Sequence, residues 1–134
     1  MRAIFMLVCL LAATACDEKA PTGPTVPLNQ QFTLAPGETA VIDGTGLSVR
    51  FVRVTGDSRC PADALCIHGG DAIVLVRVLE RAGTRDYDLH TGDSQQGGVE
   101  HGGMRISLVQ LQPYPFSSRT IEPSDYRATL DVRR

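Results

Sequence analysis

The sequence predicts an all-β fold, an antiparallel β-sandwich of about seven strands with Ig-like or Greek-key connections and one disulfide. From Phe32 onward, short apolar runs are separated by turn residues, and several of them alternate apolar and polar positions with period two. No window shows the i, i+3, i+4, i+7 apolar stripe of an amphipathic helix. The chain of 134 residues also contains 13 Gly and 8 Pro, which favour frequent turns over a helical bundle.

Seven strands are predicted from runs that turn residues bound on both sides. Pro36-Gly37 suits the central positions of a type II turn after the first strand. Asp43-Gly44-Thr45-Gly46 suits a hairpin loop after the second strand. In the third strand the apolar positions change face after Phe51, which predicts a β-bulge. The seven runs are 32–34, 39–43, 47–54, 72–79, 85–90, 105–111 and 126–132.

Two of these runs carry expectations about the core. The run 72–79 is apolar on both faces apart from Arg77, which is typical of a central strand covered on two sides. The last run begins at Tyr126, directly after the segment 121–125, in the setting of a tyrosine corner. We therefore expect Tyr126 to bury its ring and to return its hydroxyl to nearby backbone.

The first sixteen residues have the composition of an export signal. Arg2 precedes about ten apolar residues and the small residues Thr14-Ala15, as in a secretory signal peptide. The apolar stretch is too short for a bilayer span, which needs roughly 20 apolar residues. Cys16 follows directly and resembles the lipidated cysteine of bacterial lipoproteins. We predict a signal peptide over 1–15 and a lipid anchor at Cys16; the alternative is simple secretion with an incidental Cys16.

A proline-rich segment over 16–30 is predicted to tether the sandwich domain, 31–134, to the anchor. Pro21, Pro24 and Pro27 favour an extended polyproline-like chain. At ~3.1 Å per residue, the fourteen residues after Cys16 would lift the domain up to ~43 Å from the membrane. The predicted location is the bacterial cell envelope, with the domain facing the periplasm or the cell exterior.

Cys60 and Cys66 are the two cysteines that remain in the mature chain besides Cys16. Outside the cytoplasm, such a closely spaced pair predicts a disulfide. Closing a loop of seven residues contributes about 2–2.5 kcal/mol in the chain-entropy model. The spacing lacks the two-residue separation of redox-active cysteines, so the predicted bridge is structural.

The residues around this pair resemble a segment of small uncharacterised bacterial lipoproteins. The matching residues are Asp57-Ser58-Arg59-Cys60-Pro61, then Cys66, then Gly70, which fit the pattern D-S-R-C-P-x4-C-x-x-x-G. Downstream, the runs 89–91, 111–115 and 121–126 fit the same pattern. Members often carry Trp two residues after the second Cys, where this chain has His68. The resemblance implies an envelope β-domain and carries over no reaction.

The charged residues of the cysteine loop have structural interpretations. Asp57 and Arg59 suit an ion pair, and Asp71 is placed to cap the amides of Gly69 and Gly70. A loop stiffened by a disulfide and by Pro61 is also suited to presenting a recognition surface. Both interpretations remain open from the sequence.

The three histidines suggest a metal site as an alternative function. His68, His90 and His101 each stand at a predicted strand end followed by glycine. If those ends converge, the imidazoles and Asp71 or Asp93 would suit Zn²⁺ or Cu²⁺, with Met104 as a soft ligand for Cu⁺. No two of the histidines share a strand face or a helical face, so no local geometry forces this convergence.

The net charge and the absence of catalytic motifs favour a non-catalytic protein. A net charge of −2 offers no basic surface to nucleic acid. The chain contains no G-x-S-x-G, H-E-x-x-H, P-loop or G-x-G-x-x-G motif, so we expect neither an enzyme nor a cofactor. We expect a monomer that contacts the membrane through Cys16 and binds an envelope protein or a small ligand, or supports envelope structure.

Overall fold

The computed structural model describes residues 21–92 and 98–134, and this part of the chain forms two β-sheets around one apolar core. The strands are β1 Thr25–Val26, β2 Gln31–Leu34, β3 Thr39–Ile42, β4 Leu47–Asp57, β5 Ala72–Glu80, β6 Gly83–His90, β7 Val99–His101, β8 Met104–Gln112 and β9 Arg127–Arg133; a short 3-10 helix spans Pro123–Asp125. The first sheet has the order β1-β3-β4-β5-β6 and the second the order β2-β9-β8-β7. All pairs are antiparallel except β1 with β3. The predicted all-β sandwich with one disulfide is confirmed.

The predicted bulge in β4 is present. Phe51 pairs with Val76 of β5, and Arg53 pairs with Leu75, the adjacent residue of β5. Val52 is therefore the extra residue of the bulge. This insertion moves the inward-facing positions of β4 by one residue. A second register shift follows between Val54 and Gly56.

The core lies between the facing surfaces of β4 and β5 on one side and β8 and β9 on the other. In β5, buried residues alternate with half-buried ones along the strand. The expectation that β5 is covered on both faces is therefore wrong. Its central position between β4 and β6 is confirmed, but the face that carries Ile73, Leu75 and Arg77 is half open to solvent.

The register places the loops at two ends of the sandwich. One end, which we call the disulfide pole, holds the cysteine loop 58–71, residues 91–92 after β6, and the segment 113–126. The other end, the hairpin pole, holds the turns 43–46, 81–82 and 102–103.

The folded domain begins before residue 31. Val41 donates its amide to Pro24 O at 2.9 Å, and the amide of Asn29 donates to Val132 O at 2.9 Å. Val26 and Leu28 pack against the core. These contacts incorporate β1 and the residues after it into the domain, so the predicted boundary between tether and domain lies too late.

Cys16, the predicted anchor residue, and the predicted signal peptide lie outside the described residues. Within the described ranges, no helix has the length and hydropathy to cross a membrane.

Candidate functional site

The disulfide pole carries the most unusual surface of the domain. The predicted Cys60–Cys66 disulfide is present and closes the tip of the cysteine loop. Leu65 and Ile67, which flank Cys66, are 105% and 96% exposed. Large aliphatic side chains are usually buried, and two fully exposed ones on a constrained loop indicate a contact surface.

The base of the cysteine loop is closed by hydrogen bonds between its two limbs. Ser58 donates its amide to Asp71 O at 2.7 Å, and the Asp71 amide donates to Ser58 Oγ at 3.1 Å. Gly70 has a φ of +70°, and a Cβ at this position would lie 1.8 Å from Ser58 O. Only glycine fits here, so the close approach of the two limbs depends on Gly70.

The loop also packs against the segment that follows β8. Ala62 donates its amide to Pro115 O at 2.9 Å, and Ser117 donates its amide to Asp63 Oδ1 at 2.8 Å. Tyr114 and Phe116 on this segment are about half exposed. Two hydrogen-bonded segments thus present exposed apolar side chains at one pole. We call Leu65, Ile67, Tyr114 and Phe116 the apolar tip.

Arg59 connects the loop to both sheets. Its guanidinium donates two hydrogen bonds to the Asp57 carboxylate, at 2.8 and 2.6 Å, which confirms the predicted ion pair. It also donates to Leu111 O at 2.7 Å and Pro113 O at 3.0 Å. The guanidinium carbon lies 5.1 Å from the centroid of the Tyr114 ring. Only 5% of the Arg59 side chain is exposed, so this charge depends on these partners.

Tyr126 completes this buried cluster in a way that differs from the expectation. Its ring is buried as predicted, but its hydroxyl donates to Asp57 Oδ2 at 3.0 Å and not to nearby backbone. Burial and the bond to the carboxylate raise the pKa of Tyr126 to about 12. Burial also tends to raise the pKa of Asp57, but the hydrogen bonds and charge of Arg59, with the Tyr126 hydroxyl, outweigh it and hold that pKa below its usual value.

The predicted role of Asp71 as a cap for Gly69 and Gly70 is wrong. Its carboxylate instead accepts hydrogen bonds from the Gly92 amide at 2.7 Å, the Thr91 amide at 2.9 Å and His90 Nδ1 at 2.5 Å. The reason is the strand register, which pairs the start of β5 with the end of β6. Burial of Asp71 acts to raise its pKa, and the bonds from His90, Gly92 and Thr91 lower it further than burial raises it.

The histidines lie at opposite ends of the domain. His68 is exposed on the cysteine loop, and His90 contacts Asp71 at the disulfide pole. His101 lies toward the hairpin pole, where its Nδ1 is 2.8 Å from the Tyr87 hydroxyl and its Nε2 is 3.4 Å from Glu80 Oε1. Met104 is buried beside this end of β8, and Asp93 lies outside the described residues. Among residues 21–92 and 98–134, no three His, Cys, Asp or Glu side chains cluster as a metal site would require.

Two clefts flank the Asp57–Arg59 pair. One, of about 460 Å³, lies between the cysteine loop and β8, with Arg59, Gly70 and Tyr114 among its lining residues. The other, of about 690 Å³, has Val52, Ile121 and Tyr126 in its lining. Both are of the size that small ligands occupy.

Sequence reasoning missed the apolar tip, although two signals were present. Leu65 and Ile67 stand on either side of a cysteine in a loop that is too short to bury them. Pro113 and Pro115 exclude Tyr114 and Phe116 from a regular strand. Together these signals place four large apolar residues outside the sheets.

Replacing Arg59 by Met tests the buried cluster. Because Asp57 would keep its buried charge without its cationic partner, we expect the free energy of unfolding to fall by about 3–5 kcal/mol. The measurement is urea unfolding, compared with the matched variant Arg77→Met. Arg77 pairs with Asp86 on an exposed face, where ion pairs contribute little. Equal effects of the two substitutions would contradict this account of Arg59.

Replacing Tyr126 by Phe tests the bond to Asp57 at high pH. The pKa of Tyr126 rises from 10.0 to about 12 on folding, so the stability it contributes is present below pH 10 and is lost as the pH rises through about 12. We expect Tyr126→Phe to remove the tyrosinate absorbance that develops near pH 12 in the folded protein. If that absorbance persists in the variant, another tyrosine is responsible.

The site has to be interpreted from its own chemistry. Comparisons with protein-family models, with curated proteins and with solved structures found no match to this chain. The resemblance to small bacterial lipoproteins therefore stays a prediction, and the apolar tip is the feature from which a function can be argued.

Proposed function

We propose that this protein is a lipid-anchored protein of the bacterial cell envelope whose β-sandwich is a non-catalytic binding module. The observation that carries the proposal is the apolar tip. It exposes Leu65 and Ile67 fully on a loop that a disulfide and the buried Arg59 hold in place.

The cysteine inventory supports an anchored, exported protein. A disulfide is expected in an oxidising compartment and is rare in the cytosol. Because Cys60 and Cys66 bond to each other and Cys9 belongs to the predicted signal peptide, Cys16 is the one remaining cysteine of the mature sequence. A single remaining cysteine directly after an export signal is what an acyl anchor requires.

The chemistry of the pole supports binding over catalysis. Four titratable side chains there bond in two pairs, Arg59 with Asp57 and His90 with Asp71. Catalysis requires such groups to face a reacting molecule, as nucleophile or as acid and base. The four exposed side chains of the apolar tip are hydrophobic, and apolar surface binds by being removed from water. Binding to another component of the cell envelope through the apolar tip is the function that fits these residues.

A Cys16→Ser variant tests the anchor. We expect the wild-type protein to sediment with membranes and its mature N-terminal peptide to carry acyl chains on Cys16 by mass spectrometry. The variant should lose the acyl chains and leave the membrane fraction. The disulfide uses Cys60 and Cys66, so the predicted mature sequence has no other cysteine that could carry an acyl chain. A wild-type N-terminal peptide with an unmodified Cys16 would contradict the proposal.

A further inference from the structure

We propose that Leu65 and Ile67 insert into the surface of the same membrane that holds the anchor, so that the disulfide pole faces the bilayer. This inference rests on the proposed lipid anchor at Cys16. It adds a second contact to the anchor and fixes the orientation of the domain. The occupant of the apolar tip is then the lipid bilayer itself.

The direction of the chain before β1 supports this orientation. β1 runs parallel to β3, and Gly23 lies against Thr39, where an added Cβ would be 1.8 Å from the Thr39 carbonyl oxygen. β3 begins at Thr39, level with Arg50 in the middle of β4, and runs to Ile42, which pairs with Leu47 at the hairpin pole. The described residues before β1, from Pro21 to Pro24, therefore lie on the side of β1 that faces the disulfide pole.

The length of that chain keeps the pole close to the membrane. Because β1 and the residues around it belong to the domain, five peptide units join Cys16 to Pro21. Five units span at most ~18 Å, much less than the ~43 Å of the full predicted tether. The amide of Gly37, in the turn before β3, donates to Phe51 O, so this turn lies level with Phe51. The β5 partner of Phe51 is Val76, which is four residue steps from Ala72 at the loop base, ~13 Å at ~3.3 Å per residue. Cys16 can thus reach the level of the loop, but it cannot hold the domain far from the bilayer.

The chemistry of the apolar tip fits a lipid surface. Between Cys60 and Gly70, the one carboxylate is Asp63, and it accepts the amide of Ser117. Two fully exposed aliphatic side chains are flanked by the half-exposed rings of Tyr114 and Phe116. Aliphatic residues that enter the acyl region beside aromatic residues at headgroup level are typical of membrane interfaces.

The rigidity of the loop lowers the entropic cost of inserting Leu65 and Ile67 into the membrane surface. A flexible loop would lose conformational freedom on insertion, which opposes binding. The Cys60–Cys66 bridge, the limb contacts at Ser58 and the bond from Ala62 to Pro115 already order the loop. The side chains of Leu65 and Ile67 are thereby presented before any membrane contact.

Tryptophan fluorescence tests the proposal directly, because the chain contains no Trp. Leu65→Trp and Ile67→Trp each introduce one reporter at an exposed position. Ala82→Trp places a matched reporter in an exposed turn at the hairpin pole. Each variant is expressed from the full sequence with its signal peptide and is purified from the envelope in the mature form that the cell produces. It is then reconstituted into vesicles of phosphatidylethanolamine and phosphatidylglycerol, with or without brominated phosphatidylcholine.

We expect brominated lipid to quench most of the emission of Trp at position 65 or 67, and to leave that of the Ala82→Trp variant unchanged. Vesicle flotation of the same samples reports the anchor separately. Protein that floats with unquenched Trp at 65 and 67 would overturn the membrane contact and leave the anchor standing, and protein that does not float would overturn both. An emission shift that follows protein concentration and not lipid would assign the tip to a second copy of the chain and also overturn the proposal.

Discussion

The buried guanidinium of Arg59 is the interaction on which the disulfide pole depends. The cysteine loop leaves the first sheet between β4 and β5, and Asp57 at the end of β4 neutralises the Arg59 charge. The same guanidinium donates to the carbonyls of Leu111 and Pro113, which belong to the end of β8 and the segment after it in the second sheet. A buried charge is tolerated only when it is paired and hydrogen-bonded, so these partners hold Arg59 and Arg59 holds the loop across both sheets.

This arrangement separates structural side chains from exposed ones. Two side-chain pairs of the pole, Arg59–Asp57 and His90–Asp71, form contacts within the domain. The loop that they support exposes the aliphatic side chains of the apolar tip. A disulfide alone would close the loop without setting its direction. The contacts of Arg59 on the second sheet set that direction, and the short chain before β1 relates it to the proposed anchor.

Local sequence patterns predicted the strands and the bulge, but they did not predict contacts between residues that are distant in sequence. The change of face after Phe51 predicted the bulge, because a strand that buries one face must alternate along its whole length. The register between β5 and β6 gives Asp71 its partners, and that register depends on the whole sheet. The prediction that Asp71 caps Gly69 and Gly70 considered only residues close in sequence and was therefore wrong. Likewise, nothing in a sequence marks the carbonyl of Leu111 as the acceptor for Arg59, because every residue has one.

Native-state amide hydrogen exchange in the wild type and in Arg59→Met tests the central claim most directly. In the wild type, the amides of Cys60 and Ala62, bonded to the carbonyls of Gly69 and Pro115, should exchange only when the core opens. In the variant we predict that both amides exchange through local opening of the loop, well before the amide of Val76 in the central strand. If both still exchange together with Val76 in the variant, Arg59 does not hold the loop and the account is wrong.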